Sequence, residues 1–180
     1  MERVAPESPP AASGLSLRRA GRADAPVLAD IHTRSRAATY RGLLADDYLD
    51  VRMPAEMPGY WQARMSALEA GAGAAWIAER AGEAVAFACV LAPDADASVL
   101  VDNLHARPDR RGGGAGTLLL EVAAAWARAK GARAMHLLVI EGNDAAIGFY
   151  EHRGWQRSER LDDEMGGLPI VAFKYVLRLG

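Results

Sequence analysis

The chain has 180 residues, 51% of them hydrophobic and 24% charged, with a net charge of −2. That balance suits a single domain with an ordinary core, and it excludes the basic field that a nucleic-acid or anionic-membrane surface needs. Cys89 is the only cysteine, so no internal disulfide can form, which fits a reducing cytoplasm, and no apolar run reaches membrane-spanning length.

Residues 1–14, MERVAPESPPAASG, lack the apolar stretch of a signal peptide and read as a flexible tail, which leaves 15–180 as the folded domain. Residues 15–20 read as a short strand. Asp24 and Pro26 are helix-start residues, and a helix is expected from there to about Tyr40. A second helical region covers 46–70, with interruptions expected near Pro54 and Pro58. Residues 74–79 and 84–91 read as a hairpin, with Val85, Phe87, Cys89 and Leu91 on one face. A strand over 98–106 follows. Residues 114–130 form an apolar helix whose inner face is read as Leu118, Val122, Ala125, Trp126 and Ala129, ended by Gly131. A fifth strand covers 134–140. Asn143 is a good N-cap and Gly154 a good C′ residue for a helix over 144–152. Residues 155–159 and 169–177 close the chain as a last hairpin.

The richest segment is RRGGGAGTLLL, residues 110–120, between the fourth strand and an apolar helix. A glycine-rich turn into a helix leaves backbone N–H groups unpaired at the positive end of the helix dipole, which is a site for phosphate. A nucleotide-triphosphate loop would need Lys before Ser or Thr, but Thr117 follows Gly116 directly. A dinucleotide fingerprint would need a small third residue, and that slot holds Leu119 or Thr117. Both readings fail.

The segment instead resembles the acyl-CoA loop of the GNAT superfamily of N-acetyltransferases, whose pattern Arg/Gln-x-x-Gly-x-Gly/Ala is met by Arg111, Gly114 and Gly116, with Pro108 ahead of it. A second stretch, NDAAIGFYEHRGW from Asn143 to Trp155, resembles that family's second motif: an Asn, a small-residue helix, a Tyr, and an aromatic after Gly. The resemblance covers about 15–179. It implies an α/β (α+β) fold: a mixed, mostly antiparallel sheet of about seven strands, with the fourth and fifth strands parallel and splayed, flanked by about four helices.

The resemblance also implies a site. Backbone N–H groups of Arg111, Gly112, Gly113, Gly114, Ala115, Gly116 and Thr117 would cradle the pyrophosphate of acetyl-CoA. The pantetheine arm would pair with Leu104, His105 and Ala106, whose N–H groups would face the thioester, and Asn143 and Tyr150 would border it. Tyr150 holds the family's general-acid position. Many members use a Glu base on the fourth strand; this strand, SVLVDNLHA, has none, and Asp102 is the nearest equivalent. Asp102 is therefore a candidate base or acceptor anchor, expected to share a strand face with Leu104 and Ala106; His105 or a water chain are the alternatives. Tyr40 is a candidate acceptor contact. His32 reads as a surface or half-buried side chain, and Trp61, His136 and Cys89 as structural. No metal is implied.

The expected activity is acetyl-CoA-dependent transfer to a primary amine of a small molecule or peptide. A protein N-acetyltransferase and a non-catalytic CoA-binding sensor are the alternatives. The stretch RAATYRGLLADDYLD resembles one common in bacterial members, and the apolar last hairpin leaves a homodimer open.

Overall fold

The computed structural model describes residues 14–180, so the proposed tail lies almost wholly outside the described residues. Seven strands form one sheet: β1 (Leu15–Arg19), β2 (Gly73–Arg80), β3 (Glu83–Leu91), β4 (Ser98–Ala106), β5 (Ala134–Ile140), β6 (Gln156–Met165) and β7 (Leu168–Arg178). Their spatial order is β1-β2-β3-β4-β5-β7-β6. Every neighbouring pair is antiparallel except β4 and β5, which run parallel. The helices are α1 (Ala25–Tyr40), α2 (Met53–Ala67), α3 (Ala115–Ala129) and α4 (Asp144–Glu151).

Apolar runs in β2 and β3 are covered on both faces, as their lack of alternation requires. One core joins α1 and α2 to Phe87 and Cys89; the other joins α3 and α4 to Val99, Val101, Met135 and Tyr175. α2 presents Met53, Met57, Trp61 and Met65, a clean four-residue seam, to the first core. β6, at the sheet edge, reads QRSERLDDEM, and this charge discourages further strand pairing.

The structure corrects the sequence reading in several places. α2 runs unbroken through Pro58; the irregularities are widened turns at its two ends, 48–52 and 68–72. Pro54 and Pro58 instead face a groove shared with Pro26 and Ala29 of α1. α3 buries Ala115, Leu119, Leu120, Ala123, Ala124 and Ala127, while Ala125 and Ala129 are exposed. The helix is apolar nearly all round, so its composition does not fix its phase. Val85 is an unpaired extra residue between the pairs Ala78–Ala86 and Glu79–Ala84, and it joins the α3 core rather than sharing a face with Phe87 and Cys89. β6 extends six residues beyond the expected strand end and turns at Gly166-Gly167.

β4 and β5 pair only through Ser98–Ala134, Val99–Met135 and Leu100–His136. Beyond Leu100 they part. That separation positions the site.

Candidate active site

The splay opens a cleft of about 500 Å³ through the sheet. Leu104, Ala106, Gly116, Phe149 and Tyr150 line it on the α3–α4 side, and Ser35, Arg36, Tyr40, Asp102 and His105 on the α1–α2 side. Helix and strand ends from both halves of the chain therefore meet at one opening.

The glycine-rich loop forms its wide end. Gly112 and Gly114 have φ of +79° and +84°, a backbone that other residues adopt only at a cost. The first bond of α3 runs from the Leu118 N–H to the Gly114 carbonyl at 3.2 Å. By helix geometry the N–H groups of Ala115, Gly116 and Thr117 then have no intrahelical partner. Three guanidinium groups brace this turn. Arg111 donates to Thr39 Oγ1 (2.8 Å) and to the Ser35 carbonyl (3.3 Å). Arg80 donates to the Gly113 carbonyl (3.0 Å). Arg153 donates to Thr117 Oγ1 (2.6 Å) and stacks 3.7 Å over the Phe149 ring. None of the three belongs to an ion pair among the described residues. Unneutralised cations, unpaired N–H groups and a helix dipole converge there, which is what a polyphosphate requires.

The loop residues divide by position. Arg111, Gly112 and Gly116 line the cleft. Gly113 backs onto the Arg80 guanidinium, Ala115 is buried in the core, and Thr117 is held by Arg153.

On β4 the pairs Cys89–Asn103 and Val90–Val101 leave Asp102 as an extra residue, a β-bulge. The bulge overturns the expected parity: Asp102 lies on the side of Asn103 and His105, opposite Leu104 and Ala106. Its Oδ2 accepts from Asn103 Nδ2 (2.7 Å) and Tyr60 Oη (3.1 Å) and forms an ion pair with Arg64 (3.1 Å), which donates to Tyr60 Oη. Burial, then the Asp102 charge, pushes the Tyr60 phenol up. The same two causes push the Cys89 thiol to about 12, so it stays protonated.

His105 Nδ1 lies 3.2 Å from Ser35 Oγ, and its ring stacks on His32 at 4.2 Å. Burial, with help from Arg36 and Arg111, lowers its pKa to about 3. His32 is fully buried rather than at the surface; its Nδ1 accepts from Trp61 Nε1 (3.2 Å), and burial holds it neutral. His136 pairs with Ser98 (2.7 Å) away from the cleft.

At the other end, Asn143 caps α4 by accepting from the Ala146 N–H (3.2 Å) and donates to Tyr40 Oη (3.4 Å), tying α1 to α4. The Trp155 N–H bonds back to the Tyr150 carbonyl and the Gly154 N–H to Glu151, so Gly154 ends the helix in a Schellman motif. Tyr150 is buried between Phe149 and Trp155 and lines the cleft; burial, then neighbouring Tyr40, raises its phenol above the usual range.

Residues 38–155, more than half of the chain, match the family model described as the acetyltransferase (GNAT) family. The chain belongs to the GNAT acetyltransferase family. Its fold is shared by solved structures at low identity. The GCN5-related N-acetyltransferase of Rhodopseudomonas palustris is 24% identical, with a TM-score of 0.75 over 91% of this chain and 95% of that one. The PaiA N-acetyltransferase of Thermoplasma acidophilum, solved with coenzyme A, is 16% identical, with a TM-score of 0.76 over 91% and 98%. YncA of Salmonella typhimurium, solved with acetyl-CoA, is 18% identical, with a TM-score of 0.68 over 93% and 95%.

Within this GNAT fold, several side chains that shape the cleft escaped the sequence reading. Ser35, Arg36 and Thr39 are among them, and they share one helical stripe of α1 with the expected Tyr40, at spacings of one and four residues. Tyr60 and Arg64, one turn apart on α2, reach Asp102 across forty residues of sequence. Helical spacing alone could have grouped each set; nothing in the sequence joined them to β4.

Proposed function

We propose that the protein is an acetyl-CoA-dependent N-acetyltransferase that moves an acetyl group to a primary amine of a small molecule or peptide. The observation that carries this reading is one continuous cleft with an anion-binding loop on one face of the sheet and the Asp102 carboxylate on the other. The fit to acetyl-CoA rests on the N–H groups of Ala115 to Thr117 and the braced guanidiniums of Arg80, Arg111 and Arg153. When bound, acetyl-CoA supplies the activated thioester.

The amine attacks the acetyl carbon directly; the N–C bond forms and the C–S bond breaks. An ammonium with a pKa near 10.4 must first lose a proton. His105, lowered to about 3, is too weak a base to take it, since that transfer is uphill by about 10 kcal/mol. Asp102, whose Oδ2 is taken up within the protein, is assigned to hold the ammonium through its Oδ1, and water takes the proton. Reaching the neutral amine at pH 7 costs roughly 4.6 kcal/mol. The leaving thiolate takes its proton from Tyr150, and the proton that the amine nitrogen sheds as the amide forms returns to the phenolate through water, which offsets transfer from so weak an acid. The raised phenol stays protonated at every physiological pH, so the donor is always present.

The test is Tyr150→Phe. Turnover is expected to fall roughly 10²-fold with acetyl-CoA affinity kept, because only a donor is removed. An unchanged rate overturns the acid role. Acetyl-CoA binding without turnover in the wild type, across amine libraries, would favour a sensor.

A further inference from the structure

The acceptor side of the cleft carries charge of both signs at separate places. Asp102 has Oδ2 held by two donors and the Arg64 charge, and Oδ1 unpaired among the described residues. Arg36, on α1, lines the same cleft. Its Nε is buried without a hydrogen-bond partner, and it belongs to no ion pair among the described residues, whereas Arg34 beside it is paired with Asp30.

A buried, unpaired guanidinium N–H is costly unless a ligand completes it. Among the described residues nothing pairs with the Arg36 Nε, while the side chain as a whole is half-buried. Its polar neighbours His32 and His105 are both held neutral, partly by the Arg36 charge itself. Arg111 is a second cation and already spends Nη2 on Ser35 and Thr39. Asp163, the other carboxylate lining the cleft, is exposed on β6, where water solvates it. Arg36 also lies on the α1 side of the sheet, whereas the unpaired N–H groups of α3 lie on the other. The Arg36 Nε thus stands as an anion site on the α1 side, next to Arg111 and apart from the unpaired N–H groups of α3.

Building on the acetyltransferase reading, we propose that the acceptor is a small amino-carboxylate, an amino acid or a close analogue. Its ammonium meets Asp102 Oδ1 and its carboxylate meets the Arg36 fork, whose planar donors match a carboxylate in pairs. Amines that lack an acid group, such as polyamines, are then poor acceptors, since they leave Arg36 unpaired.

The experiment measures acetylation of a set of amino acids, each offered as free acid, carboxamide and decarboxylated amine, with acetyl-CoA affinity measured by calorimetry in parallel. The acid is expected to exceed its amide in kcat/KM by roughly 10- to 100-fold, the loss of a charge-assisted contact. Arg36→Gln should bring that ratio towards one, mainly through KM, and Arg36→Lys, which keeps the charge without the fork, should lie between. Equal rates for acid and amide overturn the proposal. So does an intact ratio in Arg36→Gln with weakened acetyl-CoA binding, because Arg36 would then serve the phosphates. If the wild type binds acetyl-CoA but acetylates none of the acids, only the acceptor assignment fails. If it does not bind acetyl-CoA, the acetyltransferase reading fails with it.

Discussion

Gly116 occupies the first turn of α3, where helix propensity alone would favour alanine by about 0.5–1 kcal/mol. The structure explains why glycine stands there. A Cβ at this position would lie 3.1 Å from Phe149 Cζ and 3.4 Å from Cε2. Phe149 has little room to yield, because the Arg153 guanidinium stacks on its ring at 3.7 Å and bonds its carbonyl at 2.8 Å. Overpacking of this kind costs about 1–3 kcal/mol. Set against the propensity gain, Gly116→Ala should lose about 1 kcal/mol, roughly 2–4 °C in Tm for a chain of this size. The methyl also stands beside the unpaired N–H groups that await a phosphate. Losing one charge-assisted hydrogen bond there would raise the Kd for acetyl-CoA roughly 10- to 100-fold. Calorimetry and thermal melting measure both effects. In a Phe149→Leu background the stability loss should shrink by at least about 0.5 kcal/mol, the signature of direct coupling. A Gly116→Ala protein that melts higher and binds acetyl-CoA normally would refute the role given to this glycine.

Further outcomes follow from other sites. His105 has its folded pKa lowered to about 3 from an ordinary value near 6.5, so the unfolded chain takes up a proton first as pH falls. The stability it contributes is complete above about pH 6.5 and is lost progressively towards pH 3; melting from pH 8 to pH 4 should show this fall, and His105→Gln should flatten it. With water as proton acceptor, kcat/KM should rise about tenfold per pH unit from pH 6 to pH 9 and show no inflection from His105; a plateau from pH 7 would point to a protein base. Gly73→Ala would drive a Cβ into the Val90 carbonyl of the neighbouring strand, with Leu91 and Leu68 behind it, so soluble expression should collapse while acetyl-CoA-site variants express normally.

The two ends of the cleft differed in how legible they were. The glycine loop and the Asn143 cap are local devices, built from residues close in sequence, and both stand in the structure at the expected residues. The Asp102 environment depends on a one-residue bulge, and regular alternation along SVLVDNLHA concealed it. The same concealment sent Val85 to the opposite face. α3 misled because alanine and leucine surround it, leaving no polar face to fix its rotation. His32 was misjudged for a related reason: its burial comes from Trp61 and His105, which are distant in sequence. Arg36 and Arg64 carry no local mark in the sequence, and only the tertiary arrangement gives them partners or denies them.

The most direct test of acetyl transfer is to incubate the protein with acetyl-labelled acetyl-CoA and extract from the source cells, then follow the label. Label should accumulate in a small N-acetylated compound, as an amide rather than free acetate, and should vanish in Gly114→Glu, which sets a carboxylate beside the phosphate site. Acetyl-CoA that binds while its label stays in the thioester, in every extract tried, would contradict the account.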